Sequence, residues 1–337
     1  MLLTLAVFIA AAVIILIVGI HLATLADTLA DRTGLGEAVF GGVLLGATTS
    51  ASGAVTSITA AAMGDVNLAY SNAIGGIATQ TAFLVVADIF YRRANLEHAA
   101  ADVSNLSQAS MLIVLLTVPL TAAVLPPVTL CGVHPASIIL IALYFGGVIL
   151  ARQAHDQPMW HPRKTSGTRE DRPSEELDDP TPTWRLWLKF LLLVLIICAA
   201  GFAVGRTGSA IAEQTGIASS VVGALMTATV TSLPELVTTV AAVRRGALQL
   251  AVGGIIGGNT FDVLFLSASD VAYRNGSIYN AIDAGAQFWI MVGIAMTGLL
   301  LLGMIRRQPH GVANIGFESA GLLLVYVGAV VAAAFLF

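Results

Sequence analysis

Two acidic residues, Glu235 and Asp262, stand inside long apolar stretches of this 337-residue chain. A carboxylate in a hydrocarbon core is costly, and such residues are functional by default. Each has polar company. Ala228, Thr231, Ser232 and Glu235 fall at i, i+3, i+4 and i+7, the spacing of one helical face. Pro234 has no N–H and its ring clashes with the carbonyl of Val230, which predicts a kink there. A kink frees carbonyls that need partners inside a membrane. Gly254, Gly258 and Asp262 share another face, with Asn259 one turn before the acid, and the glycines predict close approach of a neighbouring helix. Hydroxyls, carbonyls, an amide and two carboxylates form the oxygen-rich set that hard cations such as Ca²⁺ and Na⁺ prefer. The bland reading is two protonated acids that glue helices together. Hydroxyls and glycines around both acids, rather than large aliphatic side chains, favour ion binding.

The elements that hold these residues are membrane spans. Hydrophobic residues make up 57% of the chain and charged residues 11%, about half the charged share of a soluble domain. The apolar runs are continuous, which indicates helices rather than the alternating strands of a barrel. Ten spans are expected, near 1–24, 36–63, 66–91, 107–125 and 134–151, then 185–205, 217–244, 247–273, 284–305 and 313–336. The first span lacks a basic leader and is expected to be retained rather than cleaved. Residues 152–184, rich in charge and proline, are expected to form a flexible loop, with Glu175, Glu176, Asp178 and Asp179 solvated. The chain thus divides into 1–151, 152–184 and 185–337. Cys131 and Cys198 form neither a metal motif nor a disulfide framework.

Residues 41–92 repeat at 223–274 with a constant offset of 182, and 17 of the 52 pairs are identical. Five spans per half is an odd number, so the second half enters the membrane in the opposite sense. This is an inverted repeat, and such repeats place a shared site near the midplane. The expected fold is therefore an all-α membrane protein of about ten helices in two inverted five-helix repeats. With the long loop placed in the cytoplasm, 14 of the 16 basic residues fall on the inner side and only Arg206 and Arg274 outside. The positive-inside rule then puts both termini outside a cell membrane crossed many times.

Other polar residues receive structural readings. Asp88 and Asp270 are repeat mates, each four residues before an arginine (Arg92, Arg274), a spacing that permits a local ion pair. Asp65 and Glu37 fall at span ends. His21 is read as interfacial. Glu318, near the start of the tenth span, is read as membrane-facing support or an interfacial residue.

Thr231-Ser232-Leu233-Pro234-Glu235 and Gly257-Gly258-Asn259-Thr260-Phe261-Asp262 resemble the second repeat of the sodium/calcium exchanger family, within the cation/Ca²⁺ antiporter superfamily. The ten spans and the central loop fit that family along the whole chain. The resemblance implies exchange of Ca²⁺ against Na⁺, or against H⁺ in related branches, with cations between spans two, three, seven and eight. It makes Glu235 a direct ligand, with Thr231 and Ser232 giving hydroxyl or carbonyl oxygens, Ala228 a carbonyl, and Asp262 the acid of the third motif position. Gly258 stands where a serine is usual. The first repeat departs further, with Ser52 and Gly53 in place of proline and glutamate. It keeps Thr49, Ser50 and the amide of Gln80.

Two carboxylates balance at most two positive charges, whereas three Na⁺ ions would leave one uncompensated. Three functions follow from these residues. The first is a cation antiporter of the Na⁺/Ca²⁺ type. The second is a monovalent cation/H⁺ antiporter in which the two close carboxyls repel and one carries a proton. The third is a sensor or partner subunit that kept the fold without transport. Pro234, Glu235 and Asp262 argue against the last. No intramembrane nucleophile or His-Glu-x-x-His motif points to an enzyme. No cofactor and no nucleic acid are expected; the partners are inorganic cations and the lipid bilayer.

Overall fold

The computed structural model describes residues 1–33, 42–91, 96, 100, 102–156, 182–306 and 316–337. Glu37, Arg92 and the acidic run 175–179 lie outside the described residues. The first half contains α1 (Leu2–Thr33), α2 (Gly42–Thr49), α3 (Ala51–Ala62), α4 (Val66–Phe90), α5 (Val103–Val124) and α6 (Pro135–Asp156). The second contains α7 (Thr183–Thr215), α8 (Ser219–Val221), a π-helical turn at Val222–Thr227, α9 (Ala228–Thr231), α10 (Leu233–Arg245), α11 (Leu248–Asp262), α12 (Leu264–Ala272), α13 (Ala284–Arg306) and α14 (Phe317–Leu336). Among the described residues, eight helices are long and apolar enough to cross a membrane. Ser219–Thr231 and Leu233–Arg245, bent by 47°, make a ninth. The second expected span appears as α2 and α3, with its residues 36–41 outside the described set. The expected loop at 152–184 is shorter at both ends, because α6 runs on to Asp156 and α7 begins at Thr183. Hydropathy finds where a helix leaves the hydrocarbon, not where its backbone ladder stops.

The helices centre on α4 and on the α11–α12 span, which are 78% and 67% buried, against 22% for Leu2–Ala26. These two carry Gln80, Asn259 and Asp262. The second and seventh spans break at matching places. Ser50 separates α2 from α3 with φ −83° and ψ −1°, and Ser232 separates α9 from α10 with φ −97° and ψ 3°. The kink expected at Pro234 is therefore a break two residues earlier. Proline is not its sole cause, since Ser52 holds the matching place in the first half. Pro234 instead starts α10, where its missing N–H costs nothing.

The 182-residue offset extends well past the aligned window. Asp88 accepts hydrogen bonds from Leu96 N (2.9 Å) and Ser319 Oγ (3.0 Å), and Gly316 N–H also reaches it. Asp270 accepts from Ile278 N (3.1 Å), Ser137 Oγ (2.8 Å) and His134 N (2.7 Å). Every partner in one set is the repeat mate of a partner in the other. Each aspartate thus ties the end of its span to the start of a helix in the opposite half. This corrects the local-pair reading: Asp270 bonds His134, Ser137 and Ile278, while the Arg274 guanidinium lies near Gly132. Glu318 is also corrected. It is fully buried against Gly303 rather than facing lipid.

One pair of repeat-mate glycines makes close helix contacts in both halves. A Cβ on Gly201 would stand 2.5 Å from the carbonyl oxygen of Ser52, and one on Gly19 2.5 Å from the ring of Pro234, the mate of Ser52. Thr56 Oγ1 adds a bond to Gly201 O at 2.9 Å. Gly201→Val is expected to force α3 and α7 apart and lower stability by about 2–3 kcal/mol. A melting curve in detergent matching the parent would show that the two helices separate at no cost.

Candidate cation site

The breaks at Ser50 and Ser232 meet the centres of α4 and α11. Gln80 Nε2 donates to Asp262 Oδ2 and Ser232 Oγ, at 2.6 and 3.3 Å. Gln80 and Asp262 are repeat mates, 182 positions apart. Mates that touch each other must lie beside the pseudo-two-fold axis, so this pair marks the centre of the molecule. Gly76 and Gly258, also mates, line the same place. A Cβ on Gly76 would sit 3.7 Å from Ser232 Oγ and 3.8 Å from Asp262 Oδ2, and one on Gly258 would sit 3.4 Å from Gln80 Oε1.

Glu235, at the first turn of α10, reaches the same centre. It lies close enough to Asp262 for their charges to interact, and the hydroxyls of Thr49 and Ser50 face it. Ser50 also faces Asp262, without closing a well-formed hydrogen bond to either acid. The remaining expected ligands are arranged by the breaks. Thr49 Oγ1 donates to Gly46 O and Thr231 Oγ1 to Ala228 O, both at 3.2 Å, another repeated pair. The carbonyl of Thr231 accepts from Ser52 Oγ at 3.3 Å. Asn259 Nδ2 donates to Thr81 Oγ1 at 3.0 Å, which leaves its carbonyl oxygen uncommitted.

The hydrogen-bond balance is one-sided. Both oxygens of Glu235, Oδ1 of Asp262, Oε1 of Gln80, Oδ1 of Asn259 and Oγ of Ser50 are buried with no hydrogen-bond partner among the described residues. They come from four spans, the second, third, seventh and eighth. A buried acceptor without a donor normally costs about 1–3 kcal/mol. Orphan oxygens on one small set of neighbouring elements are what a bound cation would satisfy. Two carboxylates and neutral oxygens suit a hard cation. Among the described residues, no third His, Cys, Asp or Glu joins them.

All nine residues singled out from the sequence lie on these meeting elements. Thr49, Ser50, Gln80, Glu235, Asn259 and Asp262 bring polar side chains to them. The carbonyls of Thr231 and Ala228 lie at the break, where they accept from Ser52 and Thr231, and the Ser232 hydroxyl accepts from Gln80. Gly254 departs from expectation. Nothing among the described residues would meet a Cβ there within 4 Å, while one on Gly258 would meet only the Gln80 side chain. Sequence reasoning missed Ser52, Thr81 and Asn72. Asn72 donates to Gly53 O (3.1 Å) and Ser57 Oγ (2.8 Å) and accepts from Thr227 Oγ1 (2.7 Å), tying three spans beside the site. Ser52 was legible as the mate of Pro234; nothing local marked the other two.

Comparison with known proteins places these features in context. The family model described as "Sodium/calcium exchanger protein" matches residues 3–152 and 185–335. Among curated proteins, the chain is 29% identical over 180 residues to inner membrane protein YrbG of Escherichia coli (strain K12), covering 53% of this chain and 52% of that protein. It is 30% identical over 145 residues to sodium/calcium exchanger MaX1 of Methanosarcina acetivorans, covering 40% of each. These alignments span about half or less of the relatives' lengths. Among solved structures, the H⁺/Ca²⁺ exchanger CAX superposes with a TM-score of 0.72 at 13% identity, over 97% of this chain and 82% of that one. That likeness concerns the fold.

Proposed function

This chain belongs to the sodium/calcium exchanger family, and on that premise we propose that it binds its cargo cations among Glu235, Asp262, Gln80, Asn259 and Ser50. As a multi-pass membrane cation antiporter of that family, it needs a site reachable in turn from each side, and inverted repeats place such a site at the midplane. The observation that carries the reading is the set of buried orphan oxygens drawn from four spans. Thr49, Thr231, Ser232 and Ala228 complete the shell through hydroxyls and carbonyls. The connection between α6 and α7 is cytoplasmic, both termini lie outside, and the helices before and after it act as the two repeats.

The exchanged ions follow from charge. Glu235 and Asp262 together offset two positive charges. One Ca²⁺ fills the site, and two monovalent cations or protons replace it. Exchange is then electroneutral, unlike a cycle in which three Na⁺ ions carry a net charge.

Proteoliposomes loaded with a Ca²⁺ indicator and a pH indicator test this. Ca²⁺ uptake driven by an outward Na⁺ or H⁺ gradient is expected, with a rate unchanged when a valinomycin-clamped potential is imposed. A Na⁺- or K⁺-driven pH change with no Ca²⁺ flux would move the function to monovalent cation/H⁺ exchange at the same two acids. A folded preparation that moves no ion would end the transport reading.

A further inference from the structure

The half that supplies both acids to the centre also supplies an extra aromatic ring, beside the position where the other half has no acid. Gly53 is the mate of Glu235, Phe265 of Phe83, Phe261 of Thr79 and Tyr144 of Tyr326. At the mate positions in the other half the row is partly polar. Thr79 Oγ1 and Tyr326 OH share a hydrogen bond of 3.0 Å, and Phe83 is only half-buried. Beside Gly53 the row is wholly aromatic. Tyr144 stands edge-on to Phe261, and Phe261 edge-on to Phe265, each with centroids 6.0 Å apart, and Phe265 is buried.

The consequence falls on residue 53. A Cβ there would lie 3.0 Å from Cε2 of Phe265, 3.7 Å from its Cζ and 3.5 Å from Thr231 Oγ1. The first atom of any side chain therefore meets the ring, and Phe261 packs edge-on against that ring. In the other half, with Thr79 in place of Phe261, the corresponding position accepts a glutamate.

We propose that Phe265, held by Phe261 and Tyr144, is a specificity-determining residue: it fills the place of a second glutamate, fixes the site at two carboxylates, and sets the exchange at one divalent cation against two monovalent charges. This rests on the assignment of Glu235 and Asp262 as cation ligands. A third carboxylate would let the site hold three monovalent charges, and exchange against one Ca²⁺ would then move net charge.

The full chain in nanodiscs, titrated calorimetrically with Ca²⁺, tests it. Gly53→Glu alone is expected to gain less than twofold in Ca²⁺ affinity and to melt at a lower temperature. Gly53→Glu with Phe265→Ala is expected to gain at least tenfold over Phe265→Ala alone, and its exchange in liposomes should respond to membrane potential. Should that double variant not fold, Gly53→Glu with Phe261→Thr, which copies the arrangement around Glu235, carries the same expectation. A tenfold gain from Gly53→Glu alone overturns the proposal, as does a folded double variant that binds no tighter than its reference. A parent chain that binds neither Ca²⁺ nor Na⁺ overturns the underlying cation site, a result distinct from binding without coupling between residues 53 and 265.

Discussion

Glu235→Gln is expected to abolish cation exchange and to weaken Ca²⁺ binding at least roughly a hundredfold. The substitution keeps shape and volume, so it isolates charge. With Glu235 neutral, Asp262 alone faces a divalent cation, and removing one member of a buried charge set costs about 3–5 kcal/mol. Each 1.4 kcal/mol is about tenfold in affinity, so the lower figure already exceeds a hundredfold. The new amide group adds to the effect. It places two N–H donors beside Ser50 and Asp262, where oxygen acceptors face the centre. Stability should move the other way. In the absence of cation, both oxygens of Glu235 are buried without a donor, and the amide relieves the like charge near Asp262. The apo variant is therefore expected to melt at or above the parent temperature, while losing the stabilisation that Ca²⁺ confers on the parent. Calorimetry and thermal melts with and without Ca²⁺ read both effects. Parent-like Ca²⁺ affinity in Glu235→Gln would remove this residue from the site.

The sequence carried the architecture because the repeat is ungapped. A constant offset and an odd number of spans per half define an inverted repeat without coordinates, and the same offset predicts which residues share an environment. It did not predict which mates touch. Gln80 and Asp262 meet because both lie beside the axis, and proximity to an axis is a three-dimensional property. Local rules failed where distant partners were available. An arginine four residues from Asp270 suggested a helix-surface pair, but two backbone N–H groups and the Ser137 hydroxyl satisfy the acid more fully in a buried setting. Glu318 was misread for a related reason. Near a span end, hydropathy cannot tell a residue facing lipid from one facing Gly303. The exchange of Thr79 for Phe261 between the halves was visible as letters. Its meaning came only from the ring contacts that place Phe265 over Gly53.

The aspartate clamps carry the largest stability effect. Asp270→Ala is expected to destabilise the protein by about 3–5 kcal/mol, because two buried backbone N–H groups lose their acceptor and each orphan costs about 1–3 kcal/mol. Ser137 suffers less, since its hydroxyl keeps Tyr279 OH at 2.8 Å. Asp270→Asn should cost roughly half as much, because the carbonyl oxygen can serve one side of the clamp while the new NH₂ opposes the other donors. The repeat makes a second prediction. Asp88→Ala should cost a similar amount, since Leu96 N and the Gly316–Ser319 turn hold it in the matching way. The two clamps share no partner, so the losses should add within a few tenths of a kcal/mol. Neither aspartate reaches the oxygen cluster around Glu235, so the folded fraction of each variant should bind Ca²⁺ within about twofold of the parent. Urea denaturation in detergent and calorimetry on the folded fraction separate the alternatives. Parent stability with lost Ca²⁺ binding would make Asp270 a cation ligand and not a clamp. A loss in one variant without a matching loss in its mate would show that the two halves, alike in their contacts, differ in how firmly those contacts hold the bundle.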